Sequence, residues 1–312
     1  MRNVLINISA EGVSGIGEAA PNHRYDETQE SATQFLTQFS DFSLDNPFDV
    51  SELITMMEKV TPGEFAAKAG LEMALYDWIG NKLNIPLYKL LQAPDRKGPR
   101  TTFTFGIDKP EKMREKVEDA GPYPLLKVKM GTDDDKDIMH AIRELTDKPV
   151  LVDANEGWQT YDKALEMIRF LEDMNVYLIE QPMPAECKKE MQKLKFKSSI
   201  PLVADESITG RESIVELSTQ FHGINVKLMK TGAISSSLKI IHNARKSGLQ
   251  IMTGCMVESA IADTASALVS LWADYADLDG HLLVAENPVK GLEVLPDGHV
   301  QLRNIPGLGL LK

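Results

Sequence analysis

The sequence is poor in cysteine and has no long apolar segment. Cys187 and Cys255 are the only cysteines among 312 residues, too few for a disulfide framework or a four-cysteine zinc site and in keeping with a reducing compartment. The apolar run in the opening residues MRNVLINISAEG is too short for a signal peptide. No uncharged run approaches the roughly 18 residues of a membrane span. We therefore expect a cytoplasmic protein without a membrane partner.

Positive charge is also scarce. Lys and Arg total 34 against 46 Asp and Glu, which gives a net charge of −12. Such an acidic chain repels phosphate backbones, which argues against nucleic acid as a partner. Neither GxGxxG nor GxxxxGK[ST] occurs, which counts against a nucleotide-binding sheet. The apolar content of 43% is that of a globular protein.

The first part of the chain, residues 1–98, combines a predicted hairpin with predicted helices. The segment VLINISAEGVSGIGEAA alternates apolar and polar residues around glycine turns, which predicts two antiparallel strands. The helical stretches are SATQFLTQFSDF, VSELITMMEKV and FAAKAGLEMALYDWIGNKL. In the last stretch the apolar residues recur at helical spacing and form one stripe: Leu71, Ala74, Leu75, Trp78 and Ile79. The stretch APDRKGPR is the predicted boundary.

From Thr101 onward, short apolar strands alternate with helical stretches such as DKDIMHAIREL and SSSLKIIHNARKSG. This alternation predicts an α/β fold with a (β/α)8-type parallel barrel rather than an open sheet. The predicted strands are 102–107, 125–130, 149–155, 176–182, 201–207, 224–230, 249–256 and 275–280.

Carboxylates follow three successive predicted strands, as Asp153, Glu180 and Asp205. Each spacing between them covers one strand and one helix, and a barrel builds its active site at the C-terminal ends of its strands. Three neighbouring carboxylates repel one another unless a cation lies between them. Oxygen ligands without a nearby histidine favour one hard divalent ion, Mg²⁺ before Mn²⁺, over zinc.

Two lysines flank this predicted metal site, Lys129 on the second strand and Lys227 on the sixth, on roughly opposite sides of the barrel axis. A lysine near a divalent ion and a second ammonium has a lowered pKa, and Lys127, on the same strand face as Lys129, is the natural second ammonium. One lysine could remove a proton α to a carboxylate and the other could return it to the opposite face, which inverts the carbon.

The acidic run Asp133-Asp134-Asp135 is interpreted differently. It begins a predicted helix, where negative charge complements the helix dipole. It therefore needs no functional explanation.

The segments LLKVKMG, VDANEGW, IEQP, ADES and NVKLMKTG resemble the enolase superfamily, in its muconate-lactonising-enzyme subgroup. The helix AAKAGLEMALYDWIGNKLNIPLYKLL resembles the end of that family's capping domain. The resemblance implies an enolase-like (β/α)7β barrel at 99–287 with an α+β capping domain at 1–98, to which 288–312 return. It implies that Asp153, Glu180 and Asp205 bind the metal. It also implies that Lys129 and Lys227 are the acid/base pair, with Lys127 as supporting lysine.

The subgroup contains cycloisomerases, o-succinylbenzoate synthases, N-succinylamino acid racemases and dipeptide epimerases. The segment Asp277-Leu278-Asp279-Gly280 resembles the Asp-x-Asp motif by which dipeptide epimerases bind the substrate's α-ammonium. Two carboxylates suit a cation and oppose an anionic succinyl tail, although a turn built from Asp and Gly would explain the same residues. Cys255 and Thr104 lie at strand ends where this family contacts the dipeptide, and ordinary packing explains them equally well.

The resemblance thus implies a Mg²⁺-dependent epimerase of Ala-Glu-like dipeptides from cell-wall turnover. The alternatives are an o-succinylbenzoate synthase, an N-succinylamino acid racemase, or a non-catalytic relative that lacks a lid loop. Family members usually carry a further N-terminal strand and a mobile loop, so the capping domain is expected to be truncated. Arg24, in APNHRYDE, lies in the remaining cap and could approach the site. The preferred dipeptide and the formation of a homo-oligomer stay open.

Overall fold

The protein is described by a computed structural model that covers residues 2–108, 112–121 and 123–311. Its strands are β1 Val4–Ala10, β2 Val13–Ala19, β3 Lys97–Arg100, β4 Thr102–Phe105, β5 Leu125–Lys129, β6 Val150–Asp153, β7 Val176–Glu180, β8 Leu202–Ala204, β9 Gly223–Val226, β10 Gln250–Gly254, β11 Tyr275–Asp277, β12 Glu293–Val294 and β13 His299–Gln301. Its helices are α1 Gln29–Thr37, α2 Val50–Val60, α3 Phe65–Leu83, α4 Leu87–Leu90, α5 Met113–Asp119, α6 Asp135–Arg143, α7 Tyr161–Glu172, α8 Lys188–Lys197, α9 Ile214–Gln220, α10 Leu228–Thr231, α11 Ile234–Lys246 and α12 Ala260–Ser270.

Strands β4 to β11 form one parallel sheet in chain order, which confirms the predicted barrel. Strands β4 and β11 are the two ends of this sheet. Side chains join them, since the Thr102 hydroxyl donates to Asp277 Oδ1 at 2.6 Å. Alternate strand residues face inward and outward. The inward set contains a small apolar cluster of Leu151, Leu178, Val203 and Met252. The outward set packs against the surrounding helices in the main core.

The observed strands end earlier than predicted, and one boundary is wrong. The prediction for the sixth strand ran to Lys230, but β9 stops at Val226 and Lys227 flanks the short helix α10. The amides of Lys230 and Thr231 both donate to Lys227 O, at 3.0 and 3.1 Å. Because of this helical turn, Lys230 lies outside β9 and close to the C-terminal end of the strand.

The capping domain pairs β1 with β2 in an antiparallel hairpin, as predicted, and packs it on α3. Helix α3 has the predicted bounds, and Leu71, Leu75, Trp78 and Ile79 of the predicted stripe pack in one apolar cluster. The helix is also buried on nearly every other side. Lys68, Glu72 and Asp77 are buried together with the apolar residues. Glu72 accepts hydrogen bonds from Ile234 N and Ser235 Oγ, both at 2.5 Å, which joins α3 to the start of α11.

After the barrel, the C-terminal segment contacts α3 and α4. Strand β13 pairs with β12 and β3, and Leu87 N donates to Gly307 O at 2.8 Å. Leu308 N donates to Asp77 Oδ1 on α3, also at 2.8 Å. The division at residue 98 falls within β3 and stays a prediction. Over the described part of the chain, no helix is both long and apolar enough to cross a membrane.

Glycines allow β2 to lie unusually close to α3. A Cβ atom on Gly17 would lie 2.0 Å from Gly70 O, and one on Gly15 would lie 2.2 Å from Ala74 O. Real Cβ atoms do not approach backbone this closely, so any side chain at these positions would push the hairpin off the helix.

We predict that Gly17→Ala lowers the free energy of unfolding by about 1–3 kcal/mol, the usual cost of overpacking. Gly63→Ala in the same domain is the matched control, because the nearest atom to a Cβ there is 3.8 Å away. Urea unfolding followed by circular dichroism measures both variants. Equal midpoints for the two would contradict the close packing of β2 on α3.

Candidate active site

Sheet register brings the predicted polar residues to one end of the barrel. Lys129 on β5 lies opposite Asp153 on β6, and Asp153 lies opposite Glu180 on β7. Asp205 and Lys227 each follow their own strand by one residue. The C-terminal ends of parallel strands meet at one mouth, so these side chains converge there.

Lys127 lies at the centre of the site and is 2% exposed. Its Nζ is 3.0 Å from Asp153 Oδ2, 2.8 Å from Glu180 Oε2 and 2.6 Å from Asp277 Oδ2. Burial alone would lower the pKa of Lys127, but Asp153, Asp277 and Glu180 together raise it well above its usual range. Lys127 is therefore a fixed positive charge that holds three carboxylates together.

The two predicted acid/base lysines each pair with a different carboxylate. Lys129 Nζ is 2.6 Å from Asp153 Oδ2, and Lys227 Nζ is 2.7 Å from Asp205 Oδ2. Strands β5 and β9 are four apart in an eight-stranded barrel, so the two ammonium groups approach the mouth from opposite sides. The side chain of Lys129 is 29% exposed, whereas that of Lys227 is 9% exposed.

The carboxylate neighbours of Lys227 govern its pKa, and the predicted lowering of a lysine pKa beside a divalent ion stays a prediction. Burial lowers the pKa of this amine, but Asp205 and Glu180 outweigh burial and raise it well above its usual range. In the same way, burial raises the pKa of Asp205, but Lys227 and Lys230 bring it well below its usual range. Both partners are therefore charged in this arrangement.

Glu180 behaves differently from the other two carboxylates. Burial, followed by the charge of Asp153, raises the pKa of Glu180 to about 8, although Lys127 opposes the shift. Asn225 donates its Nδ2 to Glu180 Oε1 at 2.6 Å. Glu180 is the carboxylate whose charge is least compensated.

Two residues at the site were not predicted, Asn225 and Lys230. Lys230 Nζ donates to Asp205 O at 2.6 Å and to Asp205 Oδ1 at 2.5 Å, and it is 1% exposed. Asn225 is two residues before Lys227, and strand alternation places both on one face. That spacing could have identified Asn225, whereas Lys230 reaches Asp205 only through the helical turn of α10.

The three predicted metal ligands are held by lysines in this arrangement. Among the residues that the structure describes, no group of three or more Cys, His, Asp or Glu side chains has the geometry of a metal site. The donor chemistry nevertheless fits a hard divalent cation, because Asp153 and Glu180 already share one cation, the ammonium of Lys127. Asp205, at the next strand end, supplies the third carboxylate.

Asp277 and Asp279 have different hydrogen-bond partners within the protein. Both oxygens of Asp277 are already bonded, to Thr102 and to Lys127. Asp279 accepts from Thr104 N at 2.7 Å, and burial, followed by the charge of Asp277, raises its pKa to about 7. Asp279 has no lysine partner in the described part of the chain, whereas Asp277 does, and the predicted role of both as ammonium ligands stays a prediction.

The other predicted contact residues lie around this mouth. Cys255 Sγ accepts a hydrogen bond from Gly280 N at 3.2 Å, a contact within the protein that agrees with ordinary packing. Arg24 from the cap reaches the loop after β6, where its Nη2 is 2.7 Å from Glu156 Oε2. Burial, followed by the charge of Asp205, raises the pKa of the neighbouring Tyr25.

Helix α6 begins at Asp135, as the acidic run predicted, and Asp135 makes further contacts of its own. It is 1% exposed, and its carboxylate accepts from Gly131 N and from Trp158 Nε1, both at 2.9 Å. Its role is to fix the loop after β5 against the loop after β6, which the helix dipole alone does not explain.

Comparison with known proteins places both domains in one family. The enolase C-terminal domain-like model matches residues 110–311, and the mandelate racemase / muconate lactonizing enzyme N-terminal domain model matches residues 1–92. The L-Ala-D/L-Glu epimerase of Bacteroides thetaiotaomicron is 38% identical over 99% of this chain and 81% of that protein. The N-succinyl-L-Arg/Lys racemase of Bacillus cereus is 32% identical over 85% of this chain and 75% of that protein.

The chain is also similar to solved structures over nearly its whole length. The dipeptide epimerase of Enterococcus faecalis V583, complexed with Mg and the dipeptide L-Leu-L-Tyr, superposes with a TM-score of 0.92. It is 31% identical in sequence, and the match covers 99% of this chain and 92% of that one. The likeness therefore extends over the cap and the barrel together.

We predict that Lys127→Met lowers the free energy of unfolding by about 3–5 kcal/mol, because it leaves buried carboxylates without their shared counter-charge. Lys136→Met is the matched control, since Lys136 pairs with Glu166 on the surface, where both side chains are about half exposed, and such pairs contribute little. Guanidinium unfolding measures both variants. Equal losses would show that Lys127 does not hold the site together.

Proposed function

Because this chain belongs to the mandelate racemase and muconate-lactonising enzyme family, we propose that it is a dipeptide epimerase that inverts the α-carbon of the C-terminal residue. The observation that carries the proposal is the placement of Lys129 and Lys227 on opposite sides of one barrel mouth, each beside a carboxylate. Two amines on opposite faces of a carbon are what a proton transfer with inversion requires. The chain is thus an isomerase.

In this proposal one lysine removes the α-proton as a neutral amine, and the resulting ene-diolate receives a proton from the other lysine as an ammonium. Asp153 and Asp205 hold the two lysines in reach of the mouth. Lys127 stays charged throughout, because its three carboxylate partners favour the ammonium.

Asp153, Glu180 and Asp205 are the residues that would hold Mg²⁺. When bound, the ion supplies positive charge that offsets the negative charge developing on the substrate carboxylate. Asn225 orients Glu180, and Lys230 fixes both the backbone and the side chain of Asp205. Related dipeptide epimerases have been solved with Mg, which supports this assignment.

The substrate's N-terminal ammonium is assigned to Asp279. A dipeptide that directs its C-terminal carboxylate to the metal ligands extends towards the β11 end, where Asp279 is held by Thr104. Asp277 acts on Lys127 instead. Relatives named as dipeptide epimerases support this substrate class, and Ala-Glu-like peptides from cell-wall turnover are the proposed physiological source. The two free cysteines support a cytoplasmic location.

The second candidate is an N-succinylamino acid racemase. The similarity to the N-succinyl-L-Arg/Lys racemase favours it, because that enzyme shares the family and the overall fold. The two candidates differ in what lies at the β11 end, since an ammonium is attracted by Asp279 and a succinyl carboxylate is repelled by it.

We predict that the protein epimerises L,L-dipeptides in preference to N-succinylamino acids. Incubation in D₂O followed by mass spectrometry for α-deuterium measures both substrates on the same enzyme. Asp279→Asn should lower kcat/KM for dipeptides by about 10–150-fold, the size of a charge-assisted hydrogen bond, while metal affinity stays nearly unchanged. A preference for the succinylated compound would transfer the assignment to the second candidate.

We also predict that Mg²⁺ raises the unfolding temperature of the wild type and that Glu180→Gln removes most of this rise, because the variant lacks one ligand charge. Turnover by Glu180→Gln should fall by orders of magnitude. Glu166→Gln, whose carboxylate lies on the surface, is the control and should respond to Mg²⁺ like the wild type. Full activity after exhaustive chelation would refute the metal requirement.

A further inference from the structure

The turn that carries Asp279 is anchored from outside the barrel by α12. Asp279 precedes a 3-10 turn, Gly280–Leu282, whose middle residue is His281. The backbone N–H of His281 donates to Asp263 Oδ2 at 2.9 Å, and its Nδ1 lies 2.6 Å from the same oxygen. Asp263 lies on α12 and is 0% exposed. One buried carboxylate oxygen thus holds both the main chain and the side chain of the turn.

Helix capping does not explain Asp263. The N-cap of α12 is Ser259, whose hydroxyl accepts from Ile261 N, and Asp263 is the fourth residue of the helix. In the described part of the chain, Asp263 Oδ1 has no hydrogen-bond partner. A buried carboxylate with one oxygen unpaired is costly. We infer that Asp263 serves the turn at His281 rather than helix α12.

The turn has one more contact from outside it, in which Asn287 Nδ2 donates to His281 O at 2.8 Å, and its other contacts are weak or local. Gly280 N donates to Cys255 Sγ at 3.2 Å, and sulfur is a poor acceptor. Leu282 N donates to Asp279 O at 2.9 Å, within the turn itself. Thr104 on β4 bonds to the Asp279 carboxylate directly, and Asp263 on α12 is the group that holds both the backbone N–H and the side chain of His281.

We propose that Asp263 and His281 are positioning residues that fix the Asp279 carboxylate at the barrel mouth for the ammonium of the substrate. The inference rests on the proposed function and adds the residues that support the Asp279 carboxylate. Loss of the pair frees the turn at the residue two beyond Asp279, so the carboxylate meets the ammonium less often in the correct geometry. The effect is confined to substrates that carry an ammonium.

The test compares a free dipeptide with its N-acetyl derivative, using α-deuterium incorporation in D₂O as the common readout. His281→Ala should lower kcat/KM for the free dipeptide about tenfold, mainly through KM, which is the size of one hydrogen bond. The same variant should leave kcat/KM for the acetylated dipeptide nearly unchanged. His281→Asn should recover most of the loss, because its amide N–H can take the place of Nδ1–H.

Two further variants control for stability. Asp263→Asn keeps the volume of the side chain and should reproduce the loss for the free dipeptide. His299→Ala removes a partly buried histidine whose Nδ1 bonds to Gly98 O at 2.7 Å in the β12–β13–β3 sheet, and it should affect both substrates equally. This control separates general destabilisation from the positioning effect.

An equal loss for free and acetylated dipeptides in His281→Ala or Asp263→Asn would overturn the proposal and leave the pair with a purely structural role. Failure of the proposed function is visible separately in the wild type, as no preference for the free dipeptide over the acetylated one. Such a result would overturn both the proposed function and the positioning role. If the wild type prefers the free dipeptide and the variants keep that preference, only the positioning role is overturned.

Discussion

The structure depends on one electrostatic constraint, the sharing of buried carboxylates among lysine ammonium groups at the strand ends. Lys127 contacts Asp153, Glu180 and Asp277 at once. These side chains are buried, so each charge is tolerable only with its partners in place. The barrel register supplies that placement, because it aligns the ends of β5, β6 and β7. The same constraint holds Lys129 and Lys227 at the barrel mouth, where the proposed proton transfer would take place.

The barrel and the charged core of the site were predictable because both follow from periodicity. Successive strand ends recur once per strand and helix, so Lys129, Asp153 and Glu180 could be aligned from their spacing alone. Lys230 could not, because nothing in its strand-like surroundings indicates the helical turn of α10 that returns it to Asp205. Asp277 and Asp279 look equivalent in sequence, but β11 ends at Asp277, and the alternation of a strand does not extend into the 3-10 turn that follows.

The capping domain was predictable in its elements and less so in its packing. The bounds of α3 followed from apolar periodicity, yet the helix is buried on nearly every side, since the hairpin, α2 and the barrel helix α11 surround it. Sequence periodicity reports one buried face and cannot show that a buried Glu72 will bond the start of α11. That contact joins the cap to the barrel helix α11.

The most direct test of the central claim is the stereochemistry of α-proton exchange in lysine variants. Lys129→Ala and Lys227→Ala are incubated in D₂O with each epimer of a dipeptide substrate, and α-deuterium is measured by mass spectrometry. Two-base proton transfer predicts that each variant loses epimerisation by about 10²–10⁴-fold and still exchanges the α-proton of one epimer, a different epimer for each variant. Near wild-type epimerisation by either variant would contradict the account.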